Sequence, residues 1–406
     1  MWHSFQDGKL GIEPEGAQKK LVVSLQDTKQ KISGVAGSGK TFVLAKRAIN
    51  AMKRTGGDVL VLTFNKTLVN YLKYRLSEIR EDFSWTRIDV YHYHQLFRIQ
   101  ATKCHRHVHL DSYEDVDFFN NTNLKHYSAI FVDEVQDYKT EWLRIVMKNF
   151  LDAKGEFVVF GDPTQNVYHR ELDTNNDIRL GVIGGTWNKE LNSNKRFINP
   201  RLANLSNAFK TAFIPDQATN IVNDQPLESE LSFQIVKYFD LRKSNTEAQL
   251  VSVLNEIIKD DRNEVSDFVV LGSNLKLLRR LDYNYRNMTK EKTETTFATY
   301  EKFQKINENA EIWKAEKDID ALDGNRKLLF TTDKRCLKIS TIQSFKGWES
   351  PSVIVLLEED NSSENDSYRP MAPEAVYTAI TRARENLYVV NIGNDKYDEF
   401  FRSQVS

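Results

Sequence analysis

Residues Gly34 to Thr41 read GVAGSGKT and fit the pattern GxxxxGK[ST]. Three of the 17 glycines of the chain fall in this short stretch. Glycines let backbone N–H groups close on phosphate oxygens, and a following helix presents its positive end to them. In such a P-loop the lysine reaches the β- and γ-phosphates of ATP, and the hydroxyl binds Mg²⁺. The pattern therefore predicts phosphate contacts from six residues: Gly34, Gly37, Ser38, Gly39, Lys40 and Thr41.

A P-loop also needs an acidic residue at the end of a second strand. The segment AIFVDE, which ends at Asp133 and Glu134, supplies this feature 93 residues after Lys40. We expect Asp133 to hold Mg²⁺ through water. Glu134 is the candidate base that orients the attacking water during phosphoryl transfer. Two acids after a strand can also mark a helix start, but their pairing with the P-loop favours the catalytic interpretation.

Short apolar runs alternate with longer stretches of helical pattern along the whole chain. Near-continuous apolar strands separated by helices are typical of parallel sheets covered on both faces. The pattern therefore predicts an α/β fold, with its ligands beyond the carboxyl ends of the strands. Six runs carry this prediction: Val59 to Leu62, Ala129 to Val132, Phe157 to Phe160, Phe268 to Leu271, Val353 to Leu357 and Leu387 to Val390.

Composition limits the function classes. The 406 residues are enough for two or three domains. Lys and Arg number 56 and Asp and Glu number 57, which excludes a strongly basic coat but not a local basic groove. The longest apolar run, Val353 to Leu357, is far too short to span a membrane. Two cysteines cannot form a disulfide framework, so we expect a cytoplasmic protein.

The order of the motifs resembles that of the UvrD/Rep-type superfamily 1 DNA helicases. The motifs run from about residue 18 to 390 and read GVAGSGKT, DEVQD, GDPTQNVY, LNSNKRF, STIQSFKGWES and YTAITRAR. The resemblance implies two RecA-like P-loop domains with ATP between them and single-stranded DNA across their tops. We expect domain 1A, with the P-loop and DEVQD, over residues 1–190. We expect domain 2A, with the arginine motifs, over 191–406, with 291–328 as a charged, solvated helical insertion.

The resemblance also implies roles for residues outside the P-loop. Gln18 is the best match to the glutamine that reads adenine, although Gln26 and Gln30 compete for this role. Gln165 would sense the γ-phosphate and link it to DNA.

Two arginines match the family's finger motifs. Arg196 matches the arginine of the LxxNYR element, and Arg382 matches the second finger. Gly347 and Glu349 match the element that contacts nucleotide from the second domain. Arginines that reach the γ-phosphoryl group stabilise its transition-state charge.

The DNA track would follow the strand that ends at Leu62. Phe64 either stacks on a base or belongs to the core, and the sequence leaves these two interpretations open. Lys66 could contact a phosphate. The resemblance implies DNA contacts from six residues: Thr63, Phe64, Lys66, His94, Tyr168 and Thr341.

Length and sequence both depart from the family pattern. Only 38 residues separate His94 from Asp133, where the family commonly inserts an accessory domain. Arg170 stands where the family has a stacking aromatic. We therefore expect accessory insertions to be small or absent. The predicted function is an ATP-dependent DNA translocase or helicase with 3′-to-5′ polarity. The alternative is a DNA-sensing regulatory ATPase subunit that gates a partner nuclease in repair or anti-phage defence.

Overall fold

The chain folds into two compact units. A computed structural model describes residues 13–79, 81–168, 170–173, 177–214, 222–223, 235–243, 246–309, 312–359 and 371–405. The first unit extends to Phe64 and then includes Tyr71–Pro163 and Arg170–Asn192. The second unit includes Asn65–Asn70, Thr164–His169 and Ser193–Ser406. The assignment of residues 1–190 and 191–406 to domains 1A and 2A stays a prediction.

The first unit is built on a six-stranded sheet in which every neighbouring pair is parallel, in the order β3-β2-β4-β5-β1-β6. A parallel sheet needs a crossover between successive strands, which the helices of this unit supply. The strands are β1 (Lys29–Gly34), β2 (Val59–Thr63), β3 (Ile88–His92), β4 (Tyr127–Val132), β5 (Leu151–Gly161) and β6 (Asn188–Leu191). The helices in this part of the sequence are α1 (Gln18–Leu21), α2 (Lys40–Thr55), α3 (Leu68–Glu78), α4 (Tyr93–Lys103) and α5 (Thr140–Phe150).

Strand order decides which loops meet at the site. β5 lies between β1, which leads into the P-loop, and β4, which leads into Asp133. The carboxyl ends of all three strands point to the same edge because the strands are parallel. The three loops that follow these strands therefore share that edge.

The second unit has its own parallel six-stranded sheet, in the order β11-β12-β10-β13-β14-β9. A separate two-stranded pair joins β7 to β8. The strands are β7 (Ser193–Asn194), β8 (Val222–Asn223), β9 (Val236–Asp240), β10 (Phe268–Gly272), β11 (Thr293–Thr295), β12 (Leu337–Thr341), β13 (Ser350–Leu357) and β14 (Ala383–Asn391). The helices are α6 (Pro200–Phe213), α7 (Glu247–Asp260), α8 (Leu275–Thr289), α9 (Tyr300–Asn309), α10 (Ile312–Leu329), α11 (Ile342–Phe345), α12 (Pro373–Ile380) and α13 (Asp398–Val405).

The local sequence explains where several of these helices begin and end. Thr246 and Gln249 form a reciprocal capping box at the start of α7. The Asn199 side chain accepts from the N–H of Arg201 at the start of α6. Gly56 ends α2 in a left-handed conformation, and its N–H donates to Met52 O.

All six predicted apolar runs lie within strands, in β2, β4, β5, β10, β13 and β14. The α/β fold with two parallel sheets is therefore confirmed. Each unit buries its own core: β2 and β10, for example, are fully buried along their lengths. In the charged stretch 291–328 the structure has β11, an edge strand of the second sheet, before the helices α9 and α10. No helix among the described residues is long and apolar enough to cross a membrane.

Candidate active site

The loop between β1 and α2 has the form expected of a phosphate site. Gly37 and Gly39 have φ values of 74° and 85°, and α2 starts immediately afterwards at Lys40. Ser38 Oγ is buried and has no hydrogen-bond partner within the described chain. A buried hydroxyl of this kind usually has a partner, and it lies here at the N-terminus of a 16-residue helix. These features fit the phosphates of a nucleotide.

Gln18 contacts the P-loop directly. Its side chain is buried, and Nε2 donates to Ser38 O at 3.1 Å. Gln30 instead accepts from Arg47 Nη1 at 2.8 Å. The structure therefore brings Gln18, and not Gln30, to the nucleotide loop. Its adenine-reading role stays a prediction.

Lys40 is buried at the base of the loop. Its Nζ donates to Gly34 O at 2.7 Å and to Val35 O at 3.1 Å, and it lies 3.7 Å from Asp162 Oδ2. The ammonium group thus stands between the loop carbonyls and a carboxylate at the end of β5. The sequence places Asp162 directly after an apolar run, where site residues are expected, but it predicted no specific role for this residue.

Thr41 and Asp133 form the donor set that the sequence predicts for Mg²⁺. Thr41 Oγ1 donates to Asp133 Oδ2 at 3.2 Å. Burial raises the pKa of Asp133 to about 7; the Glu134 carboxylate also raises it, and the Lys40 ammonium lowers it. A hydroxyl and a carboxylate in contact offer the oxygen ligands that Mg²⁺ prefers, and a divalent cation beside Asp133 would favour its charged form.

Glu134 is held in an unusual backbone conformation. Its φ of 52° is left-handed, which is uncommon for a residue with a side chain and often marks a functional site. Its carboxylate accepts from Gln136 Nε2, and Gln136 Oε1 accepts from the N–H of Asp162 at 3.1 Å. The fully buried Gln136 therefore connects the acidic segment to the end of β5. Gln136 lies within the DEVQD motif, but the sequence alone predicted no role for it.

In the second unit, the predicted finger Arg196 is bound to the predicted nucleotide contact Glu349. Arg196 Nε donates to Glu349 Oε2 at 2.8 Å, and Nη1 donates to Thr381 O at 2.7 Å. Residues 196, 349 and 381 come from distant parts of the sequence. The structure therefore gathers the arginine motifs into one cluster.

The second predicted finger, Arg382, is 2% exposed. Its Nη2 donates to Gln165 Oε1 at 2.8 Å, and its Nε donates to Thr378 O at 2.9 Å. Lys346 Nζ donates to Gln165 O at 2.8 Å. Gln165 is thus fixed through both its side chain and its backbone.

Gly347 follows Lys346 at a point that tolerates no side chain. Its φ is +87°, and a Cβ there would lie 2.6 Å from Leu68 Cδ2. Both the backbone conformation and the close approach require glycine. Leu68 belongs to the Asn65–Asn70 segment, so Gly347 lets that segment pack closely.

Phe64 packs against the core of the first unit, and its stacking on a base stays a prediction. It is half-buried against the core of the first unit, and its ring stacks on Trp142 with centroids 5.8 Å apart and planes 12° apart. Trp142 stacks in turn on Tyr93 at 4.9 Å, and His94 meets Trp142 edge-on at 5.0 Å. Phe64 and His94 therefore belong to one aromatic cluster centred on Trp142. The sequence analysis assigned no role to Trp142, which follows the DEVQD motif by five residues.

Four further residues are predicted to contact nucleic acid, one in the first unit and three in the second. Thr63 is fully buried, and Thr341 caps α11, accepting from the N–H of Ser344 at 3.2 Å. Tyr168 and Lys66 are half-buried and lie in the Thr164–His169 and Asn65–Asn70 segments of the second unit.

Comparison with known proteins gives one family match. Residues 18–171 match the profile of the AAA domain family. A search of curated proteins found no significant match.

A search of solved structures gives matches of low sequence identity. A variant of S. cerevisiae Dbp5 bound to RNA and ADP BeF3 has 12% identity and a TM-score of 0.49, covering 97% of this chain and 87% of that one. The arterivirus nonstructural protein 10, a helicase, has 13% identity and a TM-score of 0.39, covering 96% of this chain and 64% of that one. Residues 18–171 are therefore similar to the AAA domain family, and the geometry of Gly34 to Thr41 within this range fits the phosphates of a nucleotide.

Proposed function

We propose that this chain is an ATP-dependent translocase or helicase that acts on single-stranded DNA with 3′-to-5′ polarity and is of the UvrD/Rep type. The observation that carries the proposal is the convergence of Lys40, Thr41, Asp133, Glu134 and Asp162 at one edge of a parallel sheet. This set contains a phosphate-binding cation, two residues to hold Mg²⁺ and a base, which phosphoryl transfer to water requires.

The residues divide the chemistry among them. Bound ATP with Mg²⁺ supplies the γ-phosphoryl group and the charge that activates it. Lys40 neutralises phosphate charge, while Thr41 and Asp133 hold the cation. Glu134 accepts a proton from the attacking water, and its hydrogen bond with Gln136 fixes the carboxylate for that task.

The arginines of the second unit supply further positive charge. Arg196 and Arg382 are held by Glu349 and Gln165 respectively. An arginine that meets the transferring phosphoryl group can raise the rate by ~10³ to 10⁵. We propose that both arginines serve this step and that each exchanges its carboxylate or amide partner for phosphate oxygens during turnover.

The proposed link between hydrolysis and movement runs through Gln165. It follows β5 by four residues in the sequence, and it belongs to the second unit together with its partners Arg382 and Lys346. A conformational change in the chain after β5 would therefore alter the hydrogen bonds that Gln165 makes with Arg382 and Lys346. Such coupling would give ATPase activity that depends on the nucleic acid.

ATP hydrolysis measured without nucleic acid, with single-stranded DNA and with single-stranded RNA tests the proposal. We expect strong stimulation by DNA, weaker stimulation by RNA and no hydrolysis by Lys40→Ala. Partial duplexes with a 3′ or a 5′ tail test polarity. A rate that neither nucleic acid changes would contradict the proposal, and stronger stimulation by RNA would reassign the substrate.

The alternative function is a regulatory ATPase subunit that senses DNA and gates a partner nuclease. The short interval between His94 and Asp133 favours it, because few residues remain there to grip duplex. We expect the isolated chain to hydrolyse ATP well and to unwind duplex poorly, since opening costs about 1.4 kcal/mol of stacking per base-pair step. Processive unwinding of long duplex by the chain alone would reject this alternative.

A further inference from the structure

Trp142 joins Phe64 to the interior of the first unit. Its indole ring stacks on Phe64, with centroids 5.8 Å apart and planes 12° apart. It also stacks on Tyr93, with centroids 4.9 Å apart and planes 14° apart, and Tyr138 meets it edge-on at 6.1 Å. Tyr93 and Tyr138 are both buried. The indole ring therefore connects Phe64 to side chains of the core.

The backbone holds the two residues in different ways. Trp142 lies in the first turn of α5 and is 5% exposed. Phe64 instead follows the last residue of β2, in the loop that leads to α3, and it is half-buried. A loop residue lacks the helix hydrogen bonds that restrict the backbone of a helical residue. The ring of Phe64 therefore depends for its orientation on side-chain contacts, of which the stack on Trp142 is one.

The indole N–H of Trp142 does not explain the choice of residue. Nε1 is buried and has no hydrogen-bond partner among the described residues. Buried polar groups are usually hydrogen-bonded, and an unpaired one destabilises the fold. A smaller apolar side chain would avoid this unpaired donor. The feature that position 142 uses is therefore the broad, flat ring of tryptophan.

A second tryptophan of the first unit shows the same environment away from Phe64. Trp187 is 8% exposed, belongs to the same hydrophobic core, and has a buried Nε1 without a partner among the described residues. Lys31 Nζ lies 5.7 Å from the Trp187 centroid, and Lys139 Nζ lies 5.9 Å from the Trp142 centroid. Within the described part of the chain, Trp187 contacts no other aromatic ring. The two tryptophans therefore match in burial and in their lysine neighbour, and they differ in their contact with Phe64.

We propose that Trp142 is a positioning residue for the binding of single-stranded DNA, which holds the Phe64 ring in the orientation in which a base stacks on it. The inference rests on the proposed function, because the base belongs to the DNA that is the proposed substrate. Trp142 is too deeply buried to contact the base itself, so it acts through Phe64. A ring that is oriented before binding loses little side-chain freedom when the base arrives, and this raises affinity.

The first test measures affinity for fluorescein-labelled oligo(dT) by fluorescence anisotropy. Trp142→Met removes the flat ring but refills the space with a flexible apolar side chain. Because the stacking of one base contributes roughly 5- to 150-fold to affinity, we expect this variant to bind about fivefold or more weakly. The log–log salt slope should stay as in wild type, since stacking releases no ions. Trp142→Phe keeps an aromatic ring and should bind within about twofold of wild type.

Trp187→Met is the matched control. It removes a comparably buried indole from the same core, so it should lower the thermal unfolding midpoint but keep the wild-type affinity. Circular dichroism gives the midpoint of each variant, and binding is compared at a temperature at which all of them are folded. A loss of affinity in Trp187→Met as large as that in Trp142→Met would overturn the proposal by showing a general effect of core damage.

A double-mutant cycle tests whether Trp142 acts through Phe64. In Phe64→Ala no ring remains to be positioned, so Trp142→Met should cause no further loss of affinity in that background. The combined variant should therefore bind as Phe64→Ala does. Losses that add in full would overturn the proposal, and so would wild-type affinity in either single variant.

Tryptophan fluorescence tests the contact without a substitution at Trp142, so that a Trp142→Met variant that does not fold leaves the proposal open to refutation. Phe64→Ala opens the indole ring to solvent and should move its emission to longer wavelength. Phe118→Ala removes another half-buried ring of the first unit, which contacts two phenylalanines and an arginine, and should leave the emission as in wild type. Identical emission spectra for wild type and Phe64→Ala would overturn the proposal.

The outcomes keep this inference apart from the proposed function. Failure of the wild-type protein to bind oligo(dT) would refute the proposed function. Normal binding by the wild-type protein, together with any of the contrary results for the variants, would overturn only the role of Trp142.

Discussion

Gln165 and Arg382 are 217 residues apart in the sequence, and Arg382 Nη2 donates to Gln165 Oε1 at 2.8 Å. The same glutamine accepts from Lys346 through its backbone oxygen. One residue, four positions after the end of β5, is therefore bonded to two cations of separate motifs. This arrangement makes Gln165 a candidate sensor that changes partner when nucleotide binds.

Gln165 and Arg382 should affect the rate of ATP hydrolysis jointly rather than independently. We expect Arg382→Ala to lower nucleic-acid-stimulated hydrolysis by ~10³-fold or more. Gln165→Ala should reduce the stimulation more than the basal rate. Because the two side chains are bonded, their effects in a double-mutant cycle should not add. Arg384→Ala removes a charge two residues further along, within β14, and serves as control. Additive losses would show that the two residues act separately.

Lys40→Ala and Glu134→Gln should both abolish hydrolysis but differ in nucleotide binding. The lysine holds phosphates directly, whereas the glutamate acts on water, so only Glu134→Gln should retain ATP. Loss of a general base lowers rates by ~10² to 10⁴. Hydrolysis assays and binding of a fluorescent ATP analogue measure the two effects. Lys53→Ala, on the exposed face of α2, is the matched control. Wild-type turnover by Glu134→Gln would refute its assignment as the base.

Phe64→Ala should weaken the binding of single-stranded DNA, because the variant loses only the stacking of a base on the ring. A base on an aromatic ring contributes about 1 to 3 kcal/mol, and stacking is not a charge term, so the salt slope should stay as in wild type. Fluorescence anisotropy at several salt concentrations measures both quantities. Phe64→Tyr should bind normally. Phe83→Ala alters an aromatic pair in another loop and should have no effect. Unchanged affinity in Phe64→Ala would place this ring in the core only.

Gly347→Ala should destabilise the second unit. A side chain at a φ of +87° is strained by about 1 to 2 kcal/mol, and its Cβ would also press on Leu68. Thermal unfolding monitored by circular dichroism should show a lower midpoint. Gly184→Ala, where no atom lies within 4 Å of the added Cβ, should leave the midpoint unchanged. Equal midpoints for the two variants would contradict the strain argument.

Glu358 should make stability fall as pH rises. Burial raises its pKa to about 7 from 4.5, while the backbone N–H groups of Ser273 and Asn274 act in the opposite direction. The folded state therefore binds the proton more tightly than the unfolded state. This contribution is fully present below about 4.5 and is lost as pH rises through about 7, with an upper size of about 3 kcal/mol.

Urea unfolding between these pH values measures the effect of Glu358. Glu358→Gln should remove this component of the pH slope, whatever its absolute stability. The exposed neighbour Glu359→Gln should leave the slope as it is in wild type. A wild-type slope in Glu358→Gln would assign the pH dependence to other groups.

The sequence predicts the structural features that depend only on neighbouring residues. Glycine spacing before Lys40 specifies a loop that cradles phosphate, and apolar runs such as Phe268 to Leu271 specify buried strands. The acidic pair after Ala129 to Val132 identifies the end of a strand at the site. Each of these inferences needs only neighbouring residues, because backbone conformation and strand burial follow from short stretches of sequence.

Tertiary structure decides the pairings between distant segments. The connection from Glu134 through Gln136 to Asp162, the binding of Arg196 by Glu349, and the approach of Lys66 to α10 all depend on strand order and helix packing. Residues 291–328 show the limit clearly, since high charge indicated solvated helices and concealed strand β11. A charged side chain at a strand edge or on a half-buried helix has the same local pattern as a solvated one. Only the neighbour that the fold brings to it determines whether it is exposed, paired or available for a ligand.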